Sequence, residues 1–458
     1  MGRGSNATNW NFSVNLWDIA FITLGISFIS RETVIPVLVS QLTDSKLAIG
    51  LVPALWGIGF YLPQLLTANW AESMAYKKPF VMVVGFAFER LPYLLIGLLV
   101  LAFALSAPTV ALVAVLIGVG VASSGAGVAT PAWLDMIAKV IPVRRRGIWF
   151  GLGFGLGQLM GVVGAYFVGR ILVNHAFPNN YALLFFLGFG FTIISWAGLA
   201  LTREPASESI KKVAPLALYL GRLSTVLKRD RNYRRYLLSK SLVNLGGMSS
   251  GFFAVYGTEL FALDGRGVGL LTAVLVGTQA VLNPLWGLFA DRVGHKAVLA
   301  AGAFFVVLAP LSALLLAGGE SLNPLSATDV NSWGMQGGTS ALLNVWGTVP
   351  YGLLLTFLCL GTYLAADHTS SLSIILEFCA PEDRPTYVGL TNTILAPVLI
   401  GAPILGGWLA GALGYAAMFG VALAVGSVAF VLMVFWVREP RWTTPRRVEE
   451  GESASTAA

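Results

Sequence analysis

Charge is scarce in this sequence. Only 11% of its 458 residues are charged, where a soluble chain carries about 25%. That shortage excludes an ordinary soluble domain, because much of the surface must face something other than water. Histidine is rarer still: His175, His295 and His368 lie in different regions, which speaks against a polyhistidine metal site. The only two cysteines, Cys359 and Cys379, sit in or at the end of one apolar segment. They imply neither a disulfide framework nor a metal site. No nucleotide loop or nucleophile motif is present, so no enzyme, cofactor or metal is expected. Polar and apolar residues do not alternate over short strands, which excludes a β-barrel. No cleavage site follows the first apolar run, so that run reads as an uncleaved span.

What is abundant is apolar sequence: 56% of the chain is hydrophobic and 52 residues are glycine. Glycine suits close helix contacts in lipid. A span needs about 20 apolar residues to cross about 30 Å of hydrocarbon. On that rule the first half holds Trp17–Val39, Ala48–Thr67, Phe80–Leu105, Val110–Ile137, Ile148–Val173 and Tyr181–Leu201. The second half holds Tyr236–Phe261, Val268–Phe289, Val298–Leu316, Val349–Leu376, Tyr387–Leu409 and Leu413–Val437. Backbone groups in lipid must be satisfied internally, so these are helices. The expectation is an all-α membrane protein of twelve transmembrane helices in two parallel six-helix bundles, residues 1–201 and 236–437. A linker, 202–235, joins them, and a polar tail, 438–458, follows.

The loops sort by charge. One set carries most of the 29 basic residues, among them Lys77, Lys78, Lys139, Arg144, Arg145, Arg146, Arg292, Lys296, Arg384 and Arg441. The other set has only Lys46, Arg266 and, at a helix end, Arg170. Arg31, Arg90 and Lys240 fall within spans. The positive-inside rule therefore puts both termini and the linker in the cytoplasm. It also explains the net charge of +7 without nucleic acid. Leu216 to Leu227 in the linker is basic and partly amphipathic, and reads either as a stretch on the inner leaflet or as a solvated connector.

Short segments recur between the halves. Arg203-Glu204-Pro205 ends the sixth span, and Arg438-Glu439-Pro440 the twelfth. Arg146-Gly147-Ile148-Trp149-Phe150-Gly151-Leu152 precedes the fifth span, and Arg384-Pro385-Thr386-Tyr387-Val388-Gly389-Leu390 the eleventh. Glu72-Ser73-Met74-Ala75-Tyr76-Lys77 follows the second, and Asp291-Arg292-Val293-Gly294-His295-Lys296 the eighth. One insertion reconciles the offsets, because the loop Gly318–Thr348 is much longer than its counterpart Ser106–Thr109. Six spans per unit, an even number, makes the repeats parallel, and parallel-repeat transporters place substrate between the halves near the midplane.

Gly287-Leu288-Phe289-Ala290-Asp291-Arg292-Val293-Gly294-His295-Lys296 resembles the signature loop of the major facilitator superfamily. The resemblance covers essentially the whole chain: twelve spans, a long central loop, and this loop between spans eight and nine. In the first half, Glu72 and Lys77 keep the acidic and final basic positions, while Ser73 and Ala75 replace arginine and glycine. Span four lacks the membrane-embedded arginine typical of drug–proton antiporters in this superfamily. Span five has Gly153, Gly157, Gly161 and Gly164 but not the antiporter proline. Gly401-Ala402-Pro403-Ile404-Leu405-Gly406-Gly407 in span eleven resembles that motif in the other half. The resemblance implies a cytoplasmic charge cluster that gates access: Gly287, Asp291, Arg292, Gly294, Lys296, Glu377 and Arg384, with Glu72, Asp135 and Arg146 in the first half; the other reading of these charges is ordinary headgroup-level charge. It also implies a central cavity lined by the first and fourth helices of each half.

Ionisable groups inside spans cost at least a few kcal/mol, so each is a candidate functional residue. Asp367 lies about ten residues, or ~15 Å, from the inner end of its span, close to the bilayer middle. His368 follows it, and Ser370 and Ser371 fall on roughly the same face. Asp367 and His368 could carry a proton, or could form a buried structural pair. Arg31 and Glu32 in span one could bind a charged substrate group, or form a structural network with span three. Glu89 and Arg90 lie in span three. Neighbours in sequence do not face each other on an α-helix, so each dipeptide is expected to pair across helices. Gln158, Asn244, Gln279, Asn283 and Asn392 are in-span amides that could line a cavity or bond helices together. Trp56, Tyr61, Trp133 and Tyr256 could stack on an organic solute.

The resulting expectation is a monomeric secondary transporter in the plasma (inner) membrane. It would move a small organic solute by alternating access, coupled to protons. The alternative is an exporter of amphipathic or drug-like compounds in the same superfamily. An embedded receptor or channel has less support.

Overall fold

The computed structural model describes residues 2–71, 73–207, 227, 229–318, 349–379 and 384–442. The described residues hold helices and no strand. The first half consists of α1 Gly2–Phe28, α2 Val34–Leu42, α3 Lys46–Ala71 and α4 Lys78–Val84. A π-helical turn, Gly85–Arg90, follows, then α5 Leu91–Phe103, α6 Pro108–Val140, α7 Val143–Asn174 and α8 Asn179–Ala200. The second half consists of α9 Arg231–Gly246, α10 Phe253–Phe261, α11 Gly265–Val293, α12 His295–Gly318, α13 Tyr351–Glu377 and α14 Arg384–Phe435. Among the described residues, eight helices are long and apolar enough to cross a membrane by length and composition. Outward-facing aliphatic and aromatic side chains such as Leu98, Ile117, Leu159, Val163 and Phe435 are exposed along them. A chain in water would bury such a surface, whereas lipid solvates it.

Two expected spans are each broken in the middle. The first splits into α1 and α2 around Ser30–Thr33. Pro36 lies in the first turn of α2, where its missing N–H costs no helix hydrogen bond, and its ring disfavours regular helix through the carbonyl of Glu32. The seventh splits into α9 and α10 through a 3₁₀ turn, Gly247–Ser249. Gly246, Gly247 and Gly251 weaken the helix there, and Gly246 lies against Gly426, too close to admit a Cβ. The eleventh and twelfth expected spans run into one long helix, α14, interrupted at Gly414 with φ +84°. That glycine falls within two residues of the gap expected between them.

The halves pack through α3 on α14 and α7 on α11. Gly50 meets the carbonyl of Pro403, and Gly407 meets Lys46. A Cβ on Gly269 would lie 2.6 Å from the Cα of Gly169, so the two backbones touch. Thr33 and Thr272 share a buried 2.7 Å hydrogen bond. Lys46 pairs with Glu259, which also accepts from the Tyr415 hydroxyl at 3.1 Å. All these contacts lie toward one end of the molecule. Toward the other end, which carries Lys77, Arg146, Lys296 and Arg441, hydrogen bonds between the halves among the described residues stop at Asn283 Nδ2 to Gln158 Oε1, 3.3 Å. Beyond it Leu152, Leu156, Leu288 and Phe289 are exposed, and nothing approaches Gly151 or Gly155. Among the described residues, no hydrogen bond joins the halves nearer the basic end than that of Asn283 to Gln158.

Candidate functional site: a charged cavity at two broken helices

The two helix breaks face each other across a cavity of about 150 Å³. An apolar cavity of that size holds a benzene-sized molecule, but this one is charged. The α1–α2 break supplies Arg31 and Glu32, and the α9–α10 break supplies Gly247, Ser250 and Gly251. Around them stand Trp56 and Tyr61 of α3, Asn244 of α9, Tyr363, Asp367 and His368 of α13, and Leu399, Ala402 and Pro403 of α14. A broken span frees backbone polar groups at membrane depth, which is tolerated where they line a cavity.

Four of the expected site residues thus meet: Arg31, Glu32, Asp367 and His368. The other two do not line this cavity. Gln158 is buried in the α7–α11 contact, and Asn392 lies in α14, partly buried, nearer the basic end. Trp56, Tyr61 and Asn244 line it, while Tyr256 packs in the apolar core and Trp133 beside a separate apolar cluster. The lining also differs from the one expected. Spans one, seven and ten contribute, but spans two and eleven stand where span four was expected. The small residues of α6 are used for packing: Gly125 lies against the Phe88–Glu89 backbone, and Gly127 against Gly59 and Phe60.

Pairing differs from the sequence expectation as well. Arg31 pairs with Glu32 itself, and Arg90 with Glu89 itself, at 2.8 Å. The rule that neighbours do not face each other holds within an α-helix. Arg31–Glu32 lies in a helix break, and Glu89–Arg90 ends the π-helical turn, so the rule does not apply to either. The face of Arg31 also lies on Trp56, with Cζ 3.7 Å from the ring centroid. Arg90 is buried and tied to the carbonyls of Gly85 and Thr192, both at 2.9 Å. Its Nη2 lies 4.0 Å from Asp18, an in-span carboxylate that sequence reasoning passed over. This group is enclosed between α1, the π turn and α8, away from the cavity.

Asp367 has a partner that the sequence did not reveal. Lys240 of α9, 4% exposed, pairs with its Oδ1, and Ser371 Oγ donates to the same oxygen at 2.7 Å. Ser370 instead turns to His295, with Oγ 3.1 Å from Nδ1. Lys240 lies more than a hundred positions away in sequence, so periodicity alone gave no signal of the pair.

At the basic end the repeat segments meet in each half. The Glu204 carboxylate accepts from the backbone N–H of Lys77 at 2.8 and 2.9 Å and of Lys78 at 2.7 Å. It also pairs with Lys139 at 2.8 Å. In the second half, Glu439 accepts from the backbone N–H of Lys296 at 3.1 Å. In both halves the glutamate after the last helix thus caps the first turn of the third. An anion there satisfies free N–H groups and complements the helix dipole. Gly294 has φ +106°, and the Glu439 carboxylate occupies the place a Cβ would take, so glycine is required at this signature position.

The gate residues arrange themselves differently from the cluster expected. Glu377 pairs with Arg441, which also donates to the carbonyls of Ala290 at 3.1 Å and Asp291 at 3.3 Å. Its second neighbour is His295, 3.8 Å away. The Asp291 and Arg292 side chains are exposed, since Arg441 engages the backbone of this turn and not its carboxylate. Asp135 pairs with Lys77 at 3.0 Å. Arg146 donates to the carbonyls of Ile141 at 2.9 Å and Ala138, closing the end of α6. Glu72 and residues 208–226 of the linker lie outside the described residues, as does the Arg384 side chain. Burial and the neighbouring Glu377 push the Glu439 carboxyl up to about 7.

Comparison with known proteins places this arrangement. Residues 237–457 match the family model described as Major Facilitator Superfamily. Among solved structures, the chain is similar to a POT family transporter in complex with a thioalcohol conjugated peptide. The TM-score is 0.65 at 12% identity, covering 94% of this chain and 95% of that one. It is similar to a mutant form of the nucleoside transporter NupG, with TM-score 0.64, 11% identity and coverage of 93% and 100%. A D-xylose-proton symporter follows, with TM-score 0.61, 13% identity and coverage of 94% and 98%. No protein of curated function matches by sequence. The second half thus matches the Major Facilitator Superfamily model, and the chain as a whole shares the fold of these solved structures, that of a multi-pass membrane protein.

Proposed function

We propose that the chain is a proton-coupled secondary transporter of a small organic solute, working by alternating access between two parallel six-helix bundles. Twelve membrane crossings are reached by counting α1–α2 and α9–α10 as one broken span each and dividing α14 at Gly414. Residues 1–201 and 236–437 are the two bundles, joined by a cytoplasmic linker, with a cytoplasmic tail from 438. Both termini face the cytoplasm of the plasma membrane, following the basic residues at one end, and the protein works as a monomer.

The observation that carries this reading is a charged cavity between the halves, which hydrogen bonds and an ion pair join toward one end and, among the described residues, do not join at the other. With the basic end inside, this is an inward-open state. Lys46–Glu259 and Thr33–Thr272 hold the outer side shut. In the opposite state they part, and the inner ends around Gln158 and Asn283 approach.

Asp367 is the coupling carboxylate. Its protonation would cancel its attraction for Lys240, and an uncompensated lysine in the membrane is costly. The protonation state thus biases how α9 and α13 sit beside the cavity. His368, exposed to the same cavity, provides a second titrating group. Glu377–Arg441 and the capping glutamates hold the inner ends of each bundle together as it rocks.

Purified protein in liposomes, challenged with labelled amino acids, dipeptides, sugars and nucleosides, tests this directly. Saturable uptake that rises with an imposed pH gradient and collapses with a protonophore supports it. Saturable uptake indifferent to the gradient removes the proton, and unsaturable ion leak contradicts transport by alternating access.

A further inference from the structure

Two charged groups in the cavity are only half used. Arg31 gives its Nε to Glu32 and its face to Trp56. Among the described residues no hydrogen bond reaches its two terminal Nη groups. The side chain remains 25% exposed and lines the cavity. Such a pair of N–H donors in a rigid plane matches a carboxylate bidentately. Across the cavity, Lys240 and Ser371 both bind Oδ1 of Asp367. Oδ2 has no hydrogen bond among the described residues, and this side chain is also 25% exposed. One half thus offers an unused donor fork, and the other an unused anionic acceptor.

The charges around the cavity balance. Arg31 and Lys240 are matched by Glu32 and Asp367. A solute with a net charge would leave one charge uncompensated at membrane depth, which costs at least a few kcal/mol. A solute without charged groups would leave both the fork and Oδ2 unanswered. A molecule carrying one carboxylate and one ammonium answers both and keeps the balance.

Resting on the transport reading above, we propose that the site takes a small zwitterion of the amino-carboxylate class. Its carboxylate lies on the Nη pair of Arg31, and its ammonium on Oδ2 of Asp367. Trp56, Tyr61 and Tyr363 offer walls for an apolar remainder. Because the two anchors stand on different halves, the bound solute bridges them, so its binding favours closure around it.

The test uses full-length protein in nanodiscs, with leucine, 5-aminopentanoate and alanylalanine as probes of increasing charge separation. Each is paired with its N-acetyl form and its amide or ester, and xylose is the uncharged control. At least one zwitterion is expected to bind and raise the melting temperature. Blocking either charged group should weaken it tenfold or more. Arg31→Gln should erase the penalty for blocking the carboxylate, and Asp367→Asn the penalty for blocking the amine. The blocked-ligand comparison on the unmutated protein stands even if a variant folds poorly. Equal binding of an N-acetyl acid, or failure of all three zwitterions, overturns the proposal. Gradient-driven uptake of xylose alone would also overturn it while leaving the transport reading intact.

Discussion

Glu204→Ala is expected to destabilise the first half severely, and its counterpart Glu439→Ala less. The Glu204 side chain is 2% exposed, and its carboxylate takes the N–H groups of Lys77 and Lys78 and the Lys139 ammonium at 2.7–2.9 Å. Alanine leaves two backbone donors at a helix start without their acceptor, about 1–3 kcal/mol each if water cannot reach them. It also strands Lys139, whose side chain is only 15% exposed; breaking a buried pair costs about 3–5 kcal/mol. These contributions overlap, so the expected loss is about 3–5 kcal/mol. Glu439 holds one backbone N–H at a longer 3.1 Å, also hydrogen-bonds Glu377 and is partly exposed, so its loss should cost less than that of Glu204. Glu204→Gln keeps an acceptor but loses the charge and should fall between. Equilibrium unfolding in mixed micelles against added SDS measures all three. A cost below about 1 kcal/mol for Glu204→Ala, or equal costs at the two positions, would refute the capping argument.

Three further outcomes follow from named contacts. Glu439 has its carboxyl raised from 4.5 to about 7, so the folded state holds that proton more tightly than the unfolded chain. Its contribution to stability is complete below pH 4.5 and is lost as pH rises through about 7; Glu439→Gln should flatten melting temperature against pH in that window. Asp367→Asn should remove the dependence of uptake on the pH gradient, with slower uptake and a lower melting temperature because Lys240 loses its partner. Normal coupling in a well-folded variant would transfer the role to Glu32. Gly50→Leu should open the outer side, because any side chain there meets the Pro403 carbonyl, and the distance between labels at Arg170 and Arg266 should then lengthen.

The sequence revealed what depends on local pattern. Long apolar runs located the helices, and the repeated Arg-Glu-Pro and Lys77/Lys296 segments marked two groups that the structure brings into contact in each half. In-span charge pointed to Arg31, Glu32, Asp367 and His368, which the structure gathers in one cavity. It did not reveal the pairing. Lys240 meets Asp367 from another helix, and no periodicity links residues more than a hundred positions apart. Arg31 and Arg90 pair with their own neighbours only because the chain leaves regular α-helix at both places. A continuous first span was expected where the chain breaks shortly before Pro36, and that break places Arg31 and Glu32 at the cavity. Glu259, holding Lys46 at the outer end, escaped notice because it stands at a helix end, where a carboxylate costs little.

Alternating access is tested most directly by two distances measured in one sample. One label pair at Leu152 and Leu288 spans the basic end, and the other at Arg170 and Arg266 spans the closed end; all four side chains are exposed. Comparing the unmutated protein with Gly50→Leu by pulsed electron–electron double resonance should show the Arg170–Arg266 distance lengthen while the Leu152–Leu288 distance shortens. Two distances that lengthen together, or a basic end that stays fixed while the closed end opens, would contradict the rocking of two rigid halves about a central cavity.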